Sequence, residues 1–330
     1  MCGLAGQRGS GNRSRGGGLS RPPQDRPGRV LLIFVDGVGI GPGDEGINPL
    51  AAADLPTLDA VLRGARPIAE DIPPRGLEAP GVRLTGIDAN LGVEGRPQSG
   101  TGQTALLTGT NAPKILGRHF GPWVPTALRD LLLQRNLFRT AAEAGHTVAF
   151  ANAYPSGFLE PGGRGARWPG AMPLAAHLAG VLVRNERSVR ESDGLVSSIT
   201  TERWRRHVDP RAPDLTPPLA GEILARIAGR YRLTVFAHFD TDHVGHEGDL
   251  AEGVAAIERV DAFLGGVLAQ MSDDLLVLLT SDHGNLEDTT LGHTRNPVPL
   301  LAIGPGADSL SERVRSTADV APFILGLLAE

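Results

Sequence analysis

Five apolar runs organise the chain, and four of them end in polar residues able to do chemistry. VLLIFVDG (30–37) places six consecutive apolar residues before Asp36 and Gly37. LTVFAHFDTD (233–242) runs into Asp240 and Asp242, LLVLLTSDHGN (275–285) into Asp282 and His283, and HTVAFANAY (146–154) to Asn152. PVPLLAIG (297–304) is a fifth run of the same kind. Unbroken apolar runs of this length predict strands buried on both faces. Between them lie helical patterns. Thr216 and Pro217 open a segment with Leu219, Ile223 and Ile227 on one face, proline standing at the first helical position. Residues 251–271 align Val254, Ile257, Leu264, Leu268 and Met271, and 317–328 predict a closing helix. Strand–helix alternation over most of the chain predicts an α/β fold, a three-layer αβα sandwich around a mostly parallel sheet. The ligand site of such a sheet lies beyond the carboxyl ends of its strands, where Asp36, Asp242, Asp282 and His283 fall.

Two segments break the pattern. Residues 1–28, rich in Gly, Arg, Ser and Pro, are expected to form a disordered leader, or to reflect a start codon placed too early. Residues 155–215, with PGGRGARWPG and TERWRRH, are expected to form a small inserted cap, which leaves 29–154 and 216–330 as the core. The cap boundaries are set only to within about ten residues.

Composition narrows the chemistry. A net charge of −5 gives no reason to expect nucleic acid or an anionic membrane as partner. With no long apolar span and no signal-peptide pattern, a cytoplasmic location is expected. Cys2 is the only cysteine, so any metal must rest on Asp, Glu and His. Arg118, His119, Lys114, Arg203, Arg205, Arg206 and His207 could contact substrate anions, and Asn111 and Asn152 could touch substrate, but each reads more readily as an ordinary residue and none is assigned to the site.

An aspartate after a strand is ordinarily a turn residue, and a lone histidine ordinarily packs or caps. The grouping changes that reading. DHVGH (242–246) sets Asp242 four residues before His246, SDHGN (281–285) sets Asp282 beside His283, and LGHTRNPVP places His293 just before the last run. With Asp36 these make three carboxylates and three imidazoles at one edge of one sheet. So much buried charge requires neutralising cations, and six ligands exceed what one open catalytic metal takes from a protein. Two divalent ions are the better count. Oxygen and nitrogen donors without thiolate favour Mn²⁺ or Zn²⁺, with Mg²⁺ the less suited alternative. A two-metal clamp serves in-line displacement at phosphorus, for which a nucleophile is the missing part. PQSGTGQTALLTG (97–109) offers Ser99, Thr101, Thr104 and Thr108 at the start of a helix.

In this order, VDG, a hydroxyl motif before a helix, DxxGH, SDHGN and GHTRNPVP, the chain resembles the alkaline phosphatase superfamily, especially its cofactor-independent phosphoglycerate mutase-like branch. NPLAAADLPTLDAVLRG (48–64) is also similar to the early segment of archaeal-type mutases. The resemblance implies one metal held by Asp36, Asp282, His283 and the Ser99 oxygen, and another by Asp242, His246 and His293. It selects Ser99 as nucleophile in two registers, three residues before Gly102 and ten before Gly109, with Thr101 as fallback. Two features depart from the mutases. Gln103 stands where they often carry histidine, and the chain has no room for their large phosphotransferase insert, so their substrate residues do not map. No C/S-x-P-x-R context surrounds Ser99, which argues against a sulfatase.

The resemblance thus implies a metal-dependent enzyme that forms a phosphoserine from a small phosphorylated substrate. A small cap excludes water poorly, so hydrolysis is the expected outcome. A phosphoglycerate mutase-like phosphomutase is the alternative, and a non-catalytic metal-binding protein the alternative of another class.

Overall fold

The computed structural model describes Met1 and residues 26–329, so most of the expected leader lies outside the described residues. Its centre is a seven-stranded sheet of β1 (Arg29–Val35), β2 (Leu77–Ala79), β3 (Val82–Ile87), β4 (Val148–Phe150), β5 (Leu233–His238), β6 (Leu275–Thr280) and β7 (Val298–Ile303), in the order β2-β3-β7-β6-β1-β5-β4. All five apolar runs became strands.

β4, β5, β1 and β6 are parallel. β7 pairs antiparallel with both β6 and β3, and β2 pairs antiparallel with β3. The sheet is therefore mixed, with a parallel centre, where a mostly parallel one was expected. The reversal matters for the site: because β7 runs against β6, the loop that enters β7 lies at the edge where β6 ends.

The side chains of β1 explain the three layers. Val30, Leu32 and Phe34 enter one apolar cluster, Leu31, Ile33 and Val35 the other, as strand alternation requires. The first cluster is covered by helices Ser99–Thr108, Thr126–Gln134, Leu137–Glu143 and Val320–Ala329, and the second by Pro217–Ala228 and Leu250–Gln270. In Pro217–Ala228 the buried face is centred on Ala220, Leu224 and Ile227, so Leu219 stands at its margin and is exposed rather than packed.

Residues 155–215 contribute to both clusters and to a third. Met172, Ala175 and Ala176 of the helix Ala171–Leu178 join the first cluster, Leu195, Ile199 and Leu215 the second. Val189, Val196, Trp204 and Ala212 form a small core of their own with Ala153. Among the described residues no helix is long and apolar enough to cross a membrane.

Candidate metal centre

Three neighbouring strands deliver the acidic residues. Asp36 follows β1 directly, and Asp282 and His283 follow β6. Beyond β5 the chain turns into the helix Asp240–Glu247, which sets Asp242 and His246 one turn apart on the same face. His293 sits in the loop entering β7. The helix Ser99–Thr108 completes the edge, starting at Ser99 with every residue buried.

The geometry divides these residues into two donor sets, Asp36, Asp282 and His283 in one, Asp242, His246 and His293 in the other; within each set, one ligand atom per residue lies within 4.8 Å of the others. His283 Nε2 is 3.3 Å from Asp36 Oδ1 and 3.8 Å from Asp282 Oδ1. In the second set Asp242 Oδ1 is 3.5 Å from His293 Nε2, and Oδ2 is 3.5 Å from His246 Nε2. Asp242 also joins the sets, its Oδ1 lying 3.9 Å from His283 Nε2. All six expected ligands are thus assembled, and Ser99 Oγ stands 3.0 Å from His283 Nε2.

Several atoms are arranged as a divalent ion would need them. Both Asp282 oxygens and Asp36 Oδ1 are buried without a hydrogen-bond partner. Stranding carboxylate oxygens in this way is costly unless a cation meets them. His246 and His293 point their Nε2 atoms at each other across 3.0 Å. The His293 Nδ1 proton is taken by the Pro97 carbonyl at 2.8 Å, which leaves the Nε2 lone pair facing the site. The residues fit two divalent ions.

The electrostatics carry the same message. Burial, reinforced by neighbouring Asp36 and Asp242, raises the Asp282 carboxyl well above the usual range. Burial opposes charge on His283, yet Asp282, Asp36 and Asp242 outweigh it and push His283 up to about 10. Burial likewise raises Asp242, but hydrogen bonding to His293 and Asn285 and the charges of His283 and His293 hold it below the ordinary value. The three acids thus favour the protonated form of His283, and a divalent ion at these donors would compete with that proton.

The four hydroxyls separate clearly. Thr101 Oγ1 lies 3.1 Å from the Gln98 carbonyl and accepts from Phe120 N–H, so it is occupied by backbone. Thr104 and Thr108 donate to carbonyls one turn back, as helix residues do. Ser99 alone faces the donor sets. Its helix can approach because Gly102 has no Cβ; one there would sit 3.1 Å from Asp282.

Further residues support the donor sets; the sequence reading noted Gln103 only as a departure and gave no role to Asn285 or Glu287. Gln103 Nε2 donates to Asp36 Oδ2 at 3.2 Å. Asn285 Nδ2 donates to Asp242 Oδ1 at 2.7 Å, and Glu287, fully buried, accepts from Gly39 N–H and Asn285 N–H. Asn285 and Glu287 lie two and four residues after His283, so the SDHGN motif was their only available signal. Asn111 and Asn152 are structural: Asn111 caps a helix, and Asn152 exchanges two hydrogen bonds with Ala237 of β5.

A family model described as the metalloenzyme superfamily matches residues 28–329. The chain belongs to the metalloenzyme superfamily. Its curated relatives include a 2,3-bisphosphoglycerate-independent phosphoglycerate mutase from Desulforudis audaxviator, 39% identical over 134 residues, which are 36% of this chain and 26% of the relative. An enzyme of the same name from Saccharophagus degradans is 34% identical over 164 residues, 46% of this chain and 31% of the relative. The matches thus span only about a quarter to a third of these relatives' length. Among solved structures, a Pyrococcus horikoshii protein superposes with TM-score 0.55 at 14% identity, over 92% of this metalloenzyme and 97% of that chain. A cold-active alkaline phosphatase from a Shewanella species superposes with TM-score 0.53 at 13% identity, over 92% and 100%. These likenesses establish the fold, and with the family match they bear out the resemblance read from the motifs.

Proposed function

We propose that this metalloenzyme transfers a phosphoryl group through Ser99. The observation that carries this reading is the placement of Ser99 Oγ, 3.0 Å from Nε2 of His283, a member of the Asp36, Asp282 and His283 set. Asp36, Asp282, His283 and Ser99 would hold one divalent ion, and Asp242, His246 and His293 the other, with Mn²⁺ or Zn²⁺ best suited to these donors. Such ions supply nucleophile activation and charge neutralisation at phosphorus. Ser99, buried at the first turn of its helix, is held in one orientation, and the helix N-terminus favours the incoming anion. Its oxygen forms a bond to phosphorus and its proton leaves; the ester P–O bond breaks and the departing alcohol oxygen takes up a proton. Gln103 fixes Asp36 and Asn285 fixes Asp242, so the carboxylates do not swing during the displacement.

The acceptor of the phosphoserine divides two readings. The names of the relatives favour return of the group to the substrate's own alcohol, a phosphoglycerate mutase-like isomerisation. Half the His246 side chain is open to solvent, and that favours water as acceptor. The first reading is the better supported of the two. Incubation of the metal-loaded protein with phosphoglycerate and with simple phosphate esters, followed by phosphorus NMR, separates them: isomerised ester marks a mutase and inorganic phosphate a hydrolase. A protein loaded with both ions that yields neither product from any ester overturns the proposal.

A further inference from the structure

Residues 155–215 carry nine arginines, and most of them are neutralised locally. Arg184, Arg187, Arg190, Arg205, Arg206 and Arg211 each form an ion pair with a carboxylate of the same segment. The Arg167 guanidinium lies over the Trp168 ring, 5.4 Å from its centre. Two remain, Arg164 and Arg203, and among the described residues their guanidinium groups meet no carboxylate, carbonyl or aromatic partner. Both line the same cavity, of about 550 Å³.

The cavity lies beyond the carboxyl ends of β4 and β5. Residues 153–158, which leave β4, form part of it, and Asp240 after β5 closes another side. The helix Glu202–His207 supplies two stripes. Arg203 and His207, one turn apart, make a polar one, and Trp204 with Val208 an apolar one beside it. Trp204 and Val208 also pack in the small core with Ala153 and Val196, and all four line the cavity. Arg205 and Arg206 of the same helix are not among the lining residues, and these are the two paired with Asp214 and Glu202. Asp240 is the one carboxylate among the lining residues, against two guanidinium groups, so the lining is positive in a chain of net charge −5. Cavities of roughly 300–1,000 Å³ hold small molecules. Unpaired guanidinium groups suit the oxygens of a carboxylate, phosphate or sulfonate.

We propose that this cavity is a second binding site, separate from the two donor sets, for a small organic anion with an apolar body. The body lies against Trp204, Val196 and Val208, and Arg164, Arg203 and His207 take the anionic group. An inorganic anion would leave the apolar wall uncovered. Occupation of the site requires neither Ser99 nor a bound metal ion.

Anilinonaphthalene sulfonate, a fluorescent organic anion, and uncharged N-phenylnaphthylamine, which has the same rings, are titrated into the metal-loaded protein. The sulfonate binds at least about tenfold tighter than the amine, equivalent to about 1.4 kcal/mol. Methanesulfonate, the charge without the rings, does not displace it at equal concentration. Arg164→Gln with Arg203→Gln lowers sulfonate affinity by about tenfold or more and leaves amine affinity within about twofold. Arg205→Gln with Arg206→Gln removes the same charge and leaves both affinities within about twofold. All four side chains are exposed, so both double variants should fold, and thermal unfolding checks that they do. Equal affinity of the two probes, displacement by methanesulfonate at equal concentration, or sulfonate binding that survives loss of Arg164 and Arg203 overturns the proposal. An equal loss in the two double variants does so too, since it marks attraction by overall charge alone.

Discussion

The Ser99 hydroxyl and His283 Nε2 meet at 3.0 Å although they lie 184 positions apart in the chain. The remaining hydroxyls of the same loop are engaged elsewhere. Ser99→Ala is therefore expected to lower metal-dependent phosphoryl transfer by on the order of a thousandfold or more. Thr101→Val should instead cost roughly 1–3 kcal/mol of stability, by stranding the Phe120 N–H, and leave phosphoserine formation intact. Trapping a phosphorylated protein by mass spectrometry and measuring thermal unfolding tests both; phosphoserine formed by Ser99→Ala would refute the assignment.

Metal affinity should rise with pH. His283 sits in a buried site that by itself disfavours charge, yet Asp282, Asp36 and Asp242 push it up to about 10. A divalent ion takes the Nε2 lone pair only after that proton leaves, so binding near neutrality releases a proton. The sign follows directly: the proton competes at low pH, and affinity climbs by about tenfold per pH unit until pH approaches 10. Calorimetry in buffers of different ionisation enthalpy reads the released proton, and a flat affinity between neutral and alkaline pH would count against it.

Asn285 holds Asp242 by a side-chain hydrogen bond of 2.7 Å and also donates to its backbone carbonyl. Asn285→Ala frees that carboxylate to rotate, and loss of such support costs about 10–100-fold in metal affinity. The loss should fall on the site of Asp242, His246 and His293, so competition with a chelator should show one ion leaving earlier than the other. Simultaneous loss of both ions would contradict this division.

Glu287 ties three segments together. It accepts from Gly39 after β1, from Asn285 after β6 and from Asn296 before β7, and Thr294 also donates to it. Glu287→Ala strands buried N–H groups and should destabilise the fold by roughly 3 kcal/mol or more. Denaturant melts of the metal-free protein measure this, and an unchanged midpoint would show that the carboxylate is dispensable.

The sheet was legible wherever burial on both faces left an unbroken apolar run, as in VLLIFV of β1. The residues that assemble into the two donor sets were legible because most lie in short signatures at strand ends, such as DHVGH or SDHGN. Direction was not: PVPLLAIG reads as a buried strand whether it runs with β6 or against it. β2 and β3 were missed because their positions are only partly buried and the apolar alternation is weak. Gln103, Asn285 and Glu287 owe their roles to atoms that meet across distant segments. Glu287 and Gly39 are 248 positions apart, and no local pattern records such a meeting. Leu219 shows the opposite limit: helical spacing places a residue on a stripe, but the packed neighbour decides how wide the stripe is.

The central position of β1, between β5 and β6, also sets an order of events during synthesis. A nascent chain that has emerged only through the helix Asp240–Glu247 has Asp36, Ser99, Asp242 and His246 available, but neither donor set is complete, since Asp282, His283 and His293 come later. The β1–β6 pairing that brings Asp282 and His283 to Asp36 spans more than two hundred residues, and long-range pairings of this kind form slowly. Metal loading is thereby postponed until the sheet is nearly whole, and an immature chain is poorly equipped to capture an ion in the wrong place.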